Sequence, residues 1–232
     1  MRKLKGVFFW AILVLTGCSG FTQVRYSPYE LGKKLSDKSD IKNEAFIHTL
    51  HALTYLDSAI VFNYLDSVSA EINNDDYYSK ARFDCMKAAM LRIIDMKNLP
   101  AVKSEVEKLY AEAMQLAYES SDDYLIAFVS SQYGRIYKFG EIGLSVMYTT
   151  NGMELYDKLH FESVPEDYRF LAEVLYKVKE YKNSIYYAQK AVNAWQNSKD
   201  SNHFLHVSCI NTVALGYHRQ KIYDSAFYYY NR

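Results

Sequence analysis

The sequence has few residues that end helices and little charge of one sign. Its 232 residues include three prolines and nine glycines, against 23 tyrosines. An all-β sandwich needs a turn about every 8–12 residues, so this composition favours long helices. The formal net charge is zero, and such a chain lacks the positive footprint that binds a phosphate backbone. We therefore do not expect nucleic-acid binding by this segment.

The sequence also lacks the common motifs of catalysis and metal binding. It contains no Gly-rich phosphate loop, no nucleophile elbow and no dinucleotide fingerprint. Two His-x-x-His pairs, beginning at His48 and His203, each place two side chains on one helix face. Two ligands are too few for a closed zinc site, and no HExxH or CxxC motif accompanies them. We therefore predict no enzyme activity, no metal site and no bound cofactor.

The one long apolar run lies at the N-terminus. Three basic residues among the first five precede ten apolar residues, 6–15. A membrane span needs about 20 apolar residues, so this run is typical of a secretory signal. The run ends in Leu15-Thr16-Gly17-Cys18, which resembles the lipobox of bacterial lipoproteins. That resemblance implies that residues 1–17 are removed and that Cys18 becomes a lipidated first residue.

Lipidation would tether the protein to a membrane of the cell envelope. Ser19, not aspartate, follows the cysteine, and by analogy with the family this favours the outer membrane, facing the periplasm, over the inner membrane. The mature chain would contain 24 basic and 27 acidic residues, a net charge of −3. Residues 18–42 are polar and aperiodic, which predicts a flexible, lipid-anchored tether.

The rest of the chain predicts helices that repeat. Two short motifs recur 42 residues apart, one on each helix of a predicted pair. They are Leu171-Ala172-x-x-Leu175 with Val213-Ala214-x-x-Tyr217, and Tyr181-x-x-Ser184 with Tyr223-x-x-Ala226. The two helices of each pair are joined by predicted tight turns at residues 178–180 and 220–222. Self-similarity with a period of about 20–50 residues indicates a solenoid.

These motifs resemble the tetratricopeptide repeat, a hairpin of two helices. Residues 180–192 (EYKNSIYYAQKAV) are close to its second helix, and Tyr133-Gly134-x-x-Tyr137 to its first. The resemblance covers residues 120–232 and is weak over 43–119, which we interpret as degenerate helical repeats. It implies an all-α solenoid of antiparallel helix pairs. The last repeat stops at Arg232, before its second small position, so we expect the protein to continue.

Tetratricopeptide arrays bind peptides along the face formed by their first helices. The register above predicts a face of mixed charge that leans basic, so an acidic segment or a C-terminal carboxylate is the expected ligand. Its candidate residues are Arg135, Lys138, Arg169, Glu173, Tyr176, Lys177, Asn211, His218 and Arg219.

This face predicts a protein–protein interaction scaffold or a sensor module in the periplasm. The alternative is a glycan- or nutrient-binding outer-membrane lipoprotein, a class that also contains tetratricopeptide-like helices. Sugar-binding loops of that class carry aromatic platforms, and Trp195 is the one tryptophan outside the predicted signal. Glycan binding to the mature chain would distinguish the two interpretations.

The two cysteines other than Cys18 are Cys85 and Cys209. An exported location permits a disulfide between them. Each lies within an apolar helical pattern, however, where a cysteine usually serves as a small buried hydrophobe. The two belong to separate helix pairs of a predicted solenoid, in which each repeat touches only its neighbours. We therefore predict two free thiols.

We expect the mature protein to begin at Cys18 and to carry acyl chains there. Labelling cells with a palmitate analogue should mark the wild-type protein, whereas Cys18→Ala should not label and should leave the membrane fraction. A Cys18→Ala variant that still labelled and still sedimented with membranes would contradict the lipobox interpretation.

Overall fold

The structure is a computed structural model. It describes residues 24–40, 44–73, 75–94, 99–139, 141–160, 165–196 and 203–232. The predicted signal and Cys18 lie outside these ranges. Within them the chain forms eleven α-helices, one short 3-10 helix and no β-strand, which confirms the all-α prediction. None of the helices in these ranges is both long enough and apolar enough to cross a membrane.

The chain divides into two compact units between Val106 and Glu107, a point inside the fifth helix. The sequence had placed the change from degenerate to regular repeats later, at residues 119–120. The helices are α1 Pro28–Leu35, α2 Glu44–Leu53, α3 Ser58–Ser69, α4 Tyr77–Ile94, α5 Leu99–Ser120, α6 Asp123–Gly134, α7 Ile142–Lys158, α8 Pro165–Lys177, α9 Tyr181–Gln196, α10 His203–Arg219 and α11 Tyr223–Tyr230. The 3-10 helix, Arg135–Phe139, follows α6 directly.

Unit 1 is built around α1 and α4. Helix α1 packs against α2, α3 and α4, and both α2 and α3 contact α4. Ser27 caps α1: its hydroxyl accepts from the N–H of Glu30, whose carboxylate accepts from the N–H of Ser27. Leu31 and Leu35 are fully buried. Because these two leucines share one helix face and bury it, the structure differs here from the flexible tether predicted for residues 18–42.

A buried guanidinium holds the C-terminal end of α1. Arg82 of α4 is fully buried, and its Nη1 donates to the carbonyls of Lys34 at 3.1 Å and Leu35 at 3.0 Å. Its Nη2 pairs with Asp40 Oδ2 at 3.0 Å. The last carbonyls of a helix have no partner within it, and a cation there complements the helix dipole. Arg82 therefore joins α4 to the end of α1.

Unit 2 contains three helix hairpins: α6 with α7, α8 with α9, and α10 with α11. Neighbouring hairpins are in contact, because α7 packs against α8 and α9 packs against α10. The first helices α8 and α10 also contact each other. Asp122 begins the first hairpin as an N-cap, since its carboxylate accepts from the N–H of Leu125 at 3.0 Å.

The turns inside the second and third hairpins have the same geometry. Lys179 and Lys221, 42 residues apart, both have left-handed backbones with φ of 67° and 63°. In each turn, the residue after the lysine donates its N–H to the carbonyl of the residue four positions before the lysine. The distance is 2.9 Å in the second hairpin and 3.0 Å in the third. The lysine's own N–H bonds the carbonyl three residues earlier, at 3.1 and 3.0 Å. These are two Schellman motifs, so the 42-residue spacing recurs in the backbone.

Small residues let the paired helices approach closely. A Cβ added to Gly152 of α7 would lie 2.7 Å from the carbonyl oxygen of Ala127 and 2.9 Å from the backbone nitrogen of Ser131, both on α6. In the next hairpin, the buried hydroxyl of Ser184 donates to the carbonyl of Ala172 at 2.7 Å. In two consecutive hairpins, therefore, a small residue of the second helix lies against the backbone of the first, a close approach that larger side chains would prevent.

Both described cysteines, Cys85 on α4 and Cys209 on α10, are buried free thiols. Burial raises the pKa of Cys85 well above its usual value and raises the pKa of Cys209 to about 12. The thiolate is the reactive form. At neutral pH both side chains are therefore protonated and act as small core residues.

We expect Gly152→Ala to destabilise the protein by about 1–3 kcal/mol, because the added methyl group would overlap the backbone of α6. Gly143→Ala is the matched control on the same helix, since nothing lies within 4 Å of an added Cβ there. Alanine favours helix by up to about 1 kcal/mol over glycine, so the control should be neutral or stabilising. Urea unfolding of both variants measures the difference. Equal stability of the two variants would contradict the close approach of α6 and α7.

Candidate functional site

The predicted binding-face residues lie on or directly after the first helices of the three hairpins in unit 2. Arg135 begins the 3-10 helix that follows α6. The others lie on α8 and α10, except Lys138, whose side chain is outside what the structure describes. Apart from Lys138 and Asn211, the candidates fall into two groups, the first of which also contains Glu166 and Asp167. We call them the carboxylate–arginine cluster (Arg135, Glu166, Asp167, Arg169, Glu173) and the helix-end cluster (Tyr176, Lys177, His218, Arg219).

A buried ion pair lies at the centre of the carboxylate–arginine cluster. Asp167 is 2% exposed, and its Oδ1 accepts from Arg135 Nη2 at 2.6 Å and from the hydroxyl of Ser131 at 2.8 Å. The guanidinium of Arg135 also lies 4.9 Å from the ring centroid of Phe170, at cation–π distance. Asp167 and Phe170 belong to α8, so this pair ties α8 to the end of α6.

Arg169 extends the cluster along α8. It pairs with Glu166 at 2.6 Å and with Glu173 at 3.4 Å, and Glu166 also reaches Arg135 at 3.9 Å. Burial alone would lower the pKa of each arginine, but the neighbouring carboxylates raise it overall. Three carboxylates thus surround two guanidinium groups, so the connected cluster carries a net charge of −1.

Two members of this cluster were not among the candidates, namely Glu166 and Asp167. Glu166 had a local signal, because it precedes Arg169 by three residues, a spacing that brings side chains together on a helix. Asp167 had none, since its partner Arg135 lies 32 residues earlier in the chain. Arg135 and Arg169, two of the three arginines of the predicted face, are paired with carboxylates of the protein itself, so this cluster adds no net positive charge to the face.

The helix-end cluster contains two exposed cations, Lys177 and Arg219. Lys177 and Arg219 are the last residues of α8 and α10, 42 residues apart, where a cation complements the negative end of the helix dipole. Arg219 is exposed and its Nε donates to the hydroxyl of Tyr176 at 3.0 Å. Lys177 and His218 are also exposed. The cluster therefore combines cations with an aromatic side chain on the ends of two adjacent first helices.

The middle of α10 adds a polar and an apolar contact. Asn211, a predicted candidate, is exposed. Val207, which was not predicted, precedes it by one helical turn and is 60% exposed. Residues 207, 211 and 218 share a helix face by their spacing of four and seven. An exposed valine beside an asparagine gives a peptide both an apolar and a hydrogen-bonding contact.

The two His-x-x-His pairs lie on α2 of unit 1 and at the start of α10 of unit 2. His48 and His51 lie on α2 of unit 1 and are exposed, and His51 Nε2 lies 3.4 Å from the hydroxyl of Tyr55. The side chain of His203 is outside the described residues. In the described part of the chain, no three His, Cys, Asp or Glu side chains are arranged to hold a metal ion.

Comparison with known proteins gives no relative: no family model matches the chain, and no curated protein or solved structure is significantly similar to it. What the face does must therefore be inferred from its own geometry.

We expect Asp167→Asn to destabilise the protein by about 1.5–3 kcal/mol, the range for hydrogen bonds to a charged group. Asparagine keeps the shape but removes the charge that faces Arg135. Glu173→Gln is the matched control, because its carboxylate is one-third exposed and such pairs contribute at most about 1 kcal/mol. Urea denaturation compares the two. Equal losses of stability in the two variants would show that the Asp167–Arg135 pair is no stronger than the Glu173–Arg169 pair.

Proposed function

We propose that the protein is a lipid-anchored, tetratricopeptide-like scaffold that binds a peptide or protein segment along the first-helix face of unit 2. The observation that carries this proposal is the repeated hairpin. Two turns 42 residues apart have the same hydrogen bonds, and the first helices α8 and α10 are in contact. Stacking of such hairpins would align their first helices into a continuous surface.

The ligand we propose is an acidic segment or a C-terminal carboxylate. Lys177 and Arg219 supply exposed positive charge at adjacent helix ends, and Tyr176 supplies an aromatic surface beside them. The carboxylate–arginine cluster cannot supply that charge, because its two guanidinium groups face three carboxylates of the protein itself. Recognition of acidic groups would therefore be centred on the helix-end cluster, with Val207 and Asn211 contacting the rest of the peptide.

The proposed site of action is the cell envelope. The lipobox-like motif supports acyl chains on Cys18, and Ser19 supports the outer membrane, with the folded units facing the periplasm. A scaffold held at that surface would bring its bound partner to the membrane, or would report the partner's presence as a sensor module.

Site-specific photo-crosslinking tests the proposed binding face. A benzophenone amino acid is introduced at Lys177 or Asn211, which are exposed on first helices. Matched control positions are Lys182 and Asn193, which are exposed on the second helix α9. We expect irradiation of intact cells to give discrete adducts from the first-helix positions only.

Charge reversal adds a second control. Arg219→Glu should reduce the adducts formed at Asn211, because it reverses the cation beside Tyr176. Lys182→Glu makes the same change on α9 and should leave these adducts unchanged. Equal amounts of adduct from the first-helix and second-helix positions would contradict the proposed face. Adduct formation that Arg219→Glu does not change would contradict its preference for acidic ligands.

A further inference from the structure

The first helix of unit 1 begins close to the proposed lipid. Val24, the first described residue, is six residues after Cys18. A chain spans at most about 3.3–3.6 Å per residue, so Val24 lies within about 20 Å of a lipidated Cys18. Helix α1 begins four residues later, at Pro28. A lipid on Cys18 would therefore hold this helix near the membrane surface.

Helix α1 is also firmly attached to unit 1. Leu31 and Leu35 are fully buried, and Arg82 bonds the carbonyls at the end of the helix. At its start, the hydroxyl of Tyr64 on α3 donates to the carbonyl of Tyr26 at 2.8 Å. The side of α1 that is not buried is thus held in a fixed direction relative to the rest of the unit.

That side is positively charged and aromatic. Tyr29 is 54% exposed, and the ammonium group of Lys33 lies 4.5 Å from its ring centroid. The exposed cations and the exposed aromatic residue of this segment, which we call the α1 basic face, are Arg25, Tyr29, Lys33, Lys34 and Lys38, and the carboxylate of Glu30 is exposed among them.

The acidic side chains of the same segment are held by local hydrogen bonds. Glu30 accepts from Ser27 at 2.8 Å, and Asp37 accepts from the hydroxyl of Ser39 at 2.6 Å. Asp37 also pairs with Lys34, whose Nζ lies 3.8 Å from its Oδ2. Residues 24–38 contain four cations and two carboxylates, so this segment is positive although the mature chain would be negative.

We propose that the α1 basic face docks on the anionic phospholipid headgroups of the membrane that holds Cys18. The position of the face follows from the proposed lipid anchor. The charge of the face complements an anionic surface, and tyrosine is enriched at the membrane–water interface. Each lysine or arginine near such a surface strengthens binding by about five-fold. The docked face fixes the orientation of unit 1 against the bilayer.

Vesicle co-sedimentation tests this docking without the lipid. The chain from Ser19 to Arg232 retains every described residue and lacks the acylated cysteine. We expect it to bind vesicles of phosphatidylcholine mixed with phosphatidylglycerol, but not vesicles of phosphatidylcholine alone. Binding should weaken as salt is raised, because salt screens exposed charges.

Neutralising the face provides the matched comparison. The triple variant Arg25→Gln/Lys33→Gln/Lys38→Gln should bind the anionic vesicles about 100-fold more weakly, from about five-fold per cation. Lys108→Gln/Lys158→Gln/Lys182→Gln removes the same charge from exposed positions of unit 2 and should bind as the parent does. Circular dichroism confirms that both variants remain folded.

A fluorescence measurement locates the contact. Tyr29→Trp in a Trp195→Phe background places the only tryptophan of the mature chain on the α1 basic face. Brominated anionic vesicles should quench it. Tyr118→Trp in the same background is the control, because Tyr118 is exposed to a similar extent, 62%, on α5 of unit 2, and its fluorescence should not change.

Three results would overturn the docking: equal binding to neutral and anionic vesicles, equal binding by the two triple variants, or equal quenching at positions 29 and 118. Palmitate labelling of Cys18 and crosslinking at Asn211 are separate measurements, so failure of the anchor or of the binding face is recognised independently. Vesicle binding by the α1 basic face in a protein that carries no lipid would support the docking and reject the anchor.

Discussion

The close approach of paired helices is the constraint on which unit 2 depends. Gly152 has no room for a side chain because the backbone of α6 lies against it, and Ser184 bonds directly to the backbone of α8. Larger residues at these points would separate the helices and remove the dispersion contacts between them. The same contacts determine the direction of each first helix, and therefore which side chains reach the candidate binding face.

Buried charge is the second organising element, and it is paired in the same way in both units. Arg82 in unit 1 and Arg135 in unit 2 are each paired with a carboxylate from a different element. A buried charge is costly unless it is paired and hydrogen-bonded. Each arginine therefore fixes the relative position of the elements it joins. Such pairing also neutralises Arg135 within the protein, so Lys177 and Arg219 are the exposed cations among the described residues of the candidate face.

The proposed anchoring and the proposed recognition would use different units of this chain. The segment nearest Cys18 belongs to unit 1, where α1 is packed instead of forming a loose tether. The candidate binding face belongs to unit 2, on α8 and α10. Mutations in α1 and in the helix-end cluster are far apart in sequence and share no described partner, so their effects on membrane contact and ligand binding should be separable.

The periodic and local features of this protein could be predicted from its sequence. Helical content, the 42-residue spacing and the turns at 178–180 and 220–222 follow from apolar periodicity and from residues that are neighbours in the chain. Tertiary structure alone decided the rest. Helix α1 was not predicted because its eight residues contain only two leucines that become buried, Leu31 and Leu35. The helices α3 and α4 must be present to bury them. Asp167 was missed because its partner lies 32 residues away. Contacts of that kind depend on how helices pack, which a local pattern does not contain.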